Sequence, residues 1–152
     1  MLTTFALLLA AAAAPAETEL GPPAACVVRE IDGGTPVLRY IGDRACIPLE
    51  APREMAGVWL AIFEGSTYLD GATTAVRRPG DGGVWLTFDD ATAWPAGVRP
   101  PPGQRAYRIR FIGRPAKDMH RTPPRGYGHL GMSRGLMVVD RVLTIQDLGP
   151  TR

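Results

Sequence analysis

Glycine and proline recur so often along this chain that they constrain its fold more than any other feature. The sequence contains 18 glycines and 15 prolines in 152 residues. These residues interrupt almost every window that is long enough for a stable helix. Between them lie short runs rich in β-branched and aromatic residues, which are typical of strands bounded by turns. The sequence therefore predicts an all-β protein with little helix.

Six or seven runs along the sequence fit short strands. Residues 57–63, GVWLAIF, are almost continuously apolar, which predicts a strand buried on both faces. Residues 106–113, AYRIRFIG, alternate between apolar side chains and arginines, as a half-buried strand does. The other candidate strands are residues 26–31, 37–42, 65–78, 83–89 and 136–145.

Strands of this number and spacing predict a small antiparallel barrel of five to seven strands, OB-like or related. Closure into a barrel removes the exposed edges that a flat sheet of this size would carry. The length of the chain favours one domain, which we place at residues 25–148.

The first sixteen residues, MLTTFALLLAAAAAPA, differ from the rest because they carry no charged side chain. Their apolar run is too short to cross a bilayer and ends at Ala14-Pro15-Ala16, which fits an A-x-A cleavage signature. We predict a signal peptide cleaved after Ala16, followed by a flexible leader over residues 17–24. The mature protein is then expected in the periplasm or outside the cell, without a membrane span.

Two cysteines, Cys26 and Cys46, are present. An even number of cysteines in an exported chain predicts a disulfide, here one that ties the first two strand segments together. The net charge of +2 is mild. Nucleic-acid-binding domains usually have a much stronger basic bias, so no nucleic-acid partner is expected.

A long segment, which we call loop 114–135, separates the last two predicted strands. Connections of more than about 12–15 residues without secondary structure are uncommon in compact domains and are often functional. This loop is rich in arginine, whose planar guanidinium group suits carboxylate, sulfate or phosphate. We predict that it binds a ligand or partner, such as an anionic glycan or an envelope protein. The residues expected to take part are Arg121, Arg125, Tyr127, His129 and Arg134.

Residues 131–135 of the same loop, GMSRG, fit the G-x-S-x-G pattern of a hydrolase nucleophile elbow. A true elbow joins a strand to a helix and is followed by its histidine, whereas here a strand follows and no histidine comes after Ser133. A hydrolase using Ser133, His129 and Asp140 remains an alternative, because triads occur in other chain orders. We expect instead that His129 and Asp140 are structural, with Asp140 bonded to His129 or Arg134.

Thioether and imidazole groups in and beside the loop raise a second alternative, a periplasmic copper-binding protein, since these ligands suit Cu(I). Their spacing is less dense than in a typical copper loop, so neither a metal nor another cofactor is expected. The groups concerned are Met119, His120, His129, Met132 and Met137.

The ending RIRFIGR…GYGHLGMSRGLMVVDRVLTI resembles the closing part of small exported bacterial proteins with an OB-like barrel and no assigned activity. A strand ending in FIGR precedes a glycine-rich loop with a histidine and a strand containing VDRV. The resemblance implies a fold and a compartment and transfers no catalytic residue. We therefore expect a non-enzymatic binding or envelope-associated protein, with a purely structural envelope role as a further possibility.

Overall fold

The computed structural model describes residues 26–75, 83–100 and 103–151, and it confirms the all-β prediction. The predicted signal peptide and leader, residues 1–16 and 17–24, lie outside the described residues. No helix in the described part of the chain is long and apolar enough to cross a membrane. The elements are β1 (Val27–Asp32), β2 (Thr35–Tyr40), α1 (Asp43–Cys46), β3 (Arg53–Ile62), β4 (Gly65–Asp70), β5 (Val84–Thr87), β6 (Arg105–Pro115) and β7 (Leu136–Pro150).

Five of the strands close into a barrel in the order β3-β4-β5-β7-β6, and β6 pairs again with β3. The pairing is antiparallel throughout except between β5 and β7, which run parallel. Counted from β3, the order around the barrel is first, second, third, fifth and fourth, as in OB-like Greek-key barrels. The predicted small barrel is thus present with five strands, and its one parallel pair makes it mixed.

The first two strands pair with each other in a separate two-stranded sheet. Gly33 and Gly34 join them with positive φ angles of 54° and 86°, as a tight two-residue hairpin turn requires. The predicted disulfide between Cys26 and Cys46 is confirmed, with the two Cα atoms 5.2 Å apart. It connects the start of this hairpin to the end of α1.

The barrel interior is filled by aromatic and aliphatic side chains. Tyr107, Ile109 and Phe111 of β6 are buried, whereas the arginines between them are exposed, as the alternation predicts. β3 is buried on both faces between Gly57 and Leu60, which confirms that prediction for these four residues, whereas Ile62 and Phe63 are exposed. The inner cluster consists of Met55, Trp59, Tyr68, Leu86, Tyr107, Ile109, Phe111, Met137, Val139 and Val142.

The long connection between β6 and β7 leaves and returns at neighbouring points, because Pro115 pairs with Met137. It packs against the outside of the barrel. A second cluster there contains Ala116, Tyr127, Leu136 and Val138, with Trp85 of β5 packed against it. The segment therefore folds back over the outer face of β5 and β7, and this position defines the candidate site.

Candidate ligand-binding site

Loop 114–135 is held in one shape by its own backbone. Tyr127 N donates to Ser133 O at 2.7 Å, and Ser133 N donates to Tyr127 O at 3.0 Å. Arg121 N donates to Arg134 O at 3.0 Å, which ties the two limbs of the loop together. A compact surface loop of this kind is preformed, so binding through it requires little further ordering.

Gly128 lies directly against the ring of Trp85 on β5. Its φ is 70°, in the left-handed region that glycine tolerates best. A Cβ atom added here would overlap the ring of Trp85. Both the positive φ and the contact with Trp85 therefore require glycine at this position. The 3₁₀ turn His129–Gly131 follows immediately.

Two of the predicted binding residues, Arg121 and Tyr127, stabilise the loop itself. The guanidinium carbon of Arg121 lies 4.4 Å from the centre of the Tyr127 ring, and its Nε donates to Asp118 at 3.2 Å. The hydroxyl of Tyr127 donates to the carbonyl oxygen of Asp118 at 2.7 Å. Burial raises the pKa of Tyr127. Both side chains are thus already engaged within the loop.

Arg125 and Arg134 have the opposite character. Both are exposed, and neither side chain forms a hydrogen bond or ion pair with any residue that the structure describes. A guanidinium group held on an ordered loop without a partner is a ready site for an anionic group. These two arginines are the predicted site residues most available to a ligand.

His129 joins loop 114–135 to the turn between β3 and β4. Its Nε2 lies 3.2 Å from Oε2 of Glu64, which sits in that turn. The expected pair between His129 and Asp140 is therefore wrong. Sequence proximity suggested that pair, but the loop carries His129 toward the β3–β4 turn, whereas Asp140 lies on β7.

Asp140 is bound instead by two arginines from other parts of the chain. It accepts from Arg44 Nη1, and from Arg114 Nε at 2.9 Å, so the expected bond to His129 or Arg134 is corrected to these partners. Burial raises the pKa of Asp140, but the hydrogen bonds from the two arginines outweigh this effect and hold it below the usual range. Its bonds join β7 to α1 through Arg44 and to the end of β6 through Arg114.

Arg44 is the centre of this ionic cluster, which sequence reasoning missed. It donates from Nε to Asp89 Oδ2 at 2.7 Å and from Nη2 to the carbonyl oxygen of Val139 at 2.9 Å. The hydrogen bond from Arg44 lowers the pKa of Asp89. The charged Asp140 within an apolar strand was the only signal of such a cluster in the sequence, and it does not identify Arg44. The cluster fastens α1 to the barrel.

The three residues of the hydrolase alternative do not converge. His129 is paired with Glu64, and Asp140 is bonded to Arg44 and Arg114. No hydrogen bond between described residues joins the Ser133 hydroxyl to either of them. The next element after Ser133 is β7, which begins at Leu136, so the strand–turn–helix context of a nucleophile elbow is absent there.

The candidate copper ligands differ in burial, so they do not share one site. Met137 is buried inside the barrel, whereas Met132 is exposed on the loop. Within the described ranges, no group of three or more histidine, cysteine, aspartate or glutamate side chains is placed to hold a metal ion. The arrangement thus provides no assembled metal centre among those residue types.

An open groove of about 530 Å³ lies at the stem of the loop, and no sequence pattern indicated it. It forms where the segment before β3 runs beside the end of β6, with Glu50 N donating to Pro115 O at 2.8 Å. Its polar lining consists of Glu50, Arg53, Lys117 and His120, with Met119 among the apolar residues. The excess of basic groups extends the cationic character of the loop toward its base.

Comparisons with protein families, with curated proteins and with solved structures found no match to this chain.

Proposed function

We propose that this protein is an exported, non-enzymatic binding module that engages an anionic component of the cell envelope through loop 114–135. The observation that carries the proposal is the contact between His129 and Glu64, which brings the long loop and the β3–β4 turn together. The two segments form one surface on the barrel, and the loop carries arginines that have no partner among the described residues.

The position of this surface supports a binding role by analogy of fold. In OB-like barrels, ligands bind on the face flanked by the loop between the first and second strands and the loop between the fourth and fifth strands. Here those connections are the β3–β4 turn and loop 114–135. The analogy concerns architecture alone, so the ligand class has to come from the residues themselves.

The charges of the loop favour an anionic ligand. Its fixed cations are Lys117, Arg121, Arg125 and Arg134, with Arg114 beside them at the end of β6, against the single carboxylate of Asp118. Arg114 and Arg121 are occupied by Asp140 and Asp118. Arg125 and Arg134 remain exposed and supply the attraction for a partner.

An envelope location is consistent with two features. The sequence of residues 1–16 predicts a signal peptide, and the Cys26–Cys46 disulfide is compatible with an oxidising compartment. Anionic glycans, lipids and proteins are all abundant in such a compartment, and each presents groups that an arginine can bind.

The test is binding of the isolated protein to dextran sulfate, a soluble polyanion without apolar surface, measured by calorimetry at increasing salt. We expect saturable binding that weakens as salt screens the charges. Arg125→Ala with Arg134→Ala should weaken it about thirtyfold, because each arginine near an anionic surface contributes about 1 kcal/mol.

The matched control removes two exposed arginines that also have no partner among the described residues, Arg29→Ala with Arg99→Ala. It lowers the net charge equally and should leave binding nearly unchanged. If both double variants bind dextran sulfate equally weakly, net charge alone explains the loss. That result would overturn the assignment of the binding site to loop 114–135. No binding at low salt would overturn the proposal altogether.

A further inference from the structure

Three large apolar side chains protrude into solvent beside the contact between His129 and Glu64. Phe63 is 76% exposed, Leu130 is 73% exposed and Met132 is 62% exposed. Phe63 adjoins Glu64 in the β3–β4 turn, Leu130 adjoins His129, and Met132 N donates to His129 O at 3.2 Å. We call Phe63, Leu130 and Met132 the tip surface. Exposed apolar groups gathered in this way generally mark a site of contact with a protein or a membrane.

The backbone makes the exposure of Leu130 more informative. Leu130 and Glu64 both have φ of 52°, in the left-handed region that residues with a Cβ rarely adopt. A glycine at position 130 would relieve the backbone strain and remove the exposed apolar surface. A leucine that is unfavourable in both respects points to a role outside the folding of the chain itself.

The surroundings of the tip surface discriminate between possible partners. Arg125 and Arg134 lie in the same loop without a partner among the described residues, and the Glu64 carboxylate contacts His129 Nε2 at 3.2 Å. An anionic glycan would satisfy the arginines, but it offers no apolar surface to Phe63 and Leu130. A bilayer satisfies both, because apolar side chains enter the acyl boundary while arginines bind lipid phosphates.

We propose that the tip surface inserts into a bilayer containing anionic lipids, with Arg125 and Arg134 on the phosphate groups. The inference rests on the proposed function, because the same arginines supply its electrostatic part. It goes beyond that function in naming phospholipid as the anionic component and in assigning a role to the three apolar side chains.

The test is co-sedimentation of the isolated protein with vesicles of phosphatidylcholine alone or of phosphatidylcholine mixed with phosphatidylglycerol. We expect binding to the mixed vesicles and little binding to phosphatidylcholine. Phe63→Ser with Leu130→Gly should weaken vesicle binding more than about tenfold, since two buried apolar side chains are lost. Binding to dextran sulfate should not change, because the arginines remain. Leu130→Gly relieves strain, so loss of folding is not expected to explain the result.

The matched control replaces two apolar side chains of similar exposure on the β1–β2 hairpin, Ile31 at 67% and Leu38 at 70%, both by serine. This variant should bind vesicles as the wild type does. Unchanged vesicle binding by the Phe63 and Leu130 variant would overturn the insertion model. A second result would also overturn it: the wild type sediments without vesicles, and the Phe63 and Leu130 variant does not. That result would assign the tip surface to contact with a second copy of the chain. Binding to dextran sulfate without binding to vesicles would overturn the lipid inference while leaving the proposed function intact.

Discussion

Arg44 and Asp140 form an ion pair between the helix beside the disulfide and the last strand of the barrel, 96 positions apart in the chain. The same guanidinium group also binds Asp89 and the carbonyl oxygen of Val139. One side chain thus connects α1 to two parts of the barrel wall. Because Cys46 of α1 is bonded to Cys26, Arg44 also links the β1–β2 hairpin to the barrel.

Replacement of Arg44 by methionine should therefore destabilise the protein. Asp89 and Asp140 are largely shielded from solvent, and the variant removes a charged hydrogen-bond donor from both. We expect a loss of about 2 kcal/mol in the free energy of unfolding, measured by urea denaturation. Arg39→Met is the control, because Arg39 pairs with Glu30 on the exposed hairpin, and it should leave the midpoint nearly unchanged. Similar shifts in both variants would contradict a special role for the Arg44 cluster.

The same cluster should make stability sensitive to acid. The folded-state pKa values of Asp89 and Asp140 lie below their usual range, so both carboxylates bind protons more readily when unfolded. Their contribution is complete above the unfolded value of about 3.9 and is lost as the pH falls through the lower folded values. Urea midpoints measured from about pH 6 down to about pH 2 should fall more steeply for the wild type than for Arg44→Met. Parallel declines would show that Arg44 does not set these pKa values.

Removal of the disulfide should act chiefly on the β1–β2 hairpin. An isolated two-stranded hairpin is marginally stable in water, and this one is tied to α1 by the Cys26–Cys46 bond. Cys26→Ser with Cys46→Ser should lower the free energy of unfolding by about 3 kcal/mol in the chain-entropy model. Hydrogen exchange should become faster between Val27 and Tyr40 before it changes in the barrel strands. Unchanged protection of the hairpin amides would mean that other contacts hold it.

Gly128 and Gly97 provide a matched pair for separating backbone strain from steric overlap. Their φ values are 70° and 71°, but only at Gly128 would a Cβ atom meet a neighbour, the ring of Trp85. Gly97→Ala should cost about 1 kcal/mol from backbone strain alone. Gly128→Ala should cost a further 1–3 kcal/mol, roughly the range for overpacking. Thermal unfolding measures the stability of the two variants. Equal losses of stability would mean that the Trp85 ring does not contact Gly128.

Local patterns in the sequence predicted the strands well. The alternation in residues 106–113 and the apolar run in residues 57–63 reflect the two faces of each strand, which depend on neighbours in sequence. The same run also predicted that Phe63 continues a buried strand. β3 ends at Ile62, and Phe63 lies exposed in the turn. An apolar run does not reveal the residue at which a strand leaves the core.

The tertiary partners were not predictable in the same way. His129 contacts Glu64 and Asp140 pairs with Arg44, and both partners are far away in sequence. A charged residue in an apolar strand indicates that some partner exists, but the closure of the barrel decides which one. The arginines of loop 114–135 were visible as a group, whereas their division into engaged and exposed members depends on how the loop folds.

The barrel closes through β7, which pairs with β6 on one side and with β5 on the other. Until Leu136–Pro150 is available, β5 and β6 each present an unpaired edge that other chains can join. Pairing of β7 therefore protects two strand edges at once, and a chain that lacks this strand would offer both edges to other chains.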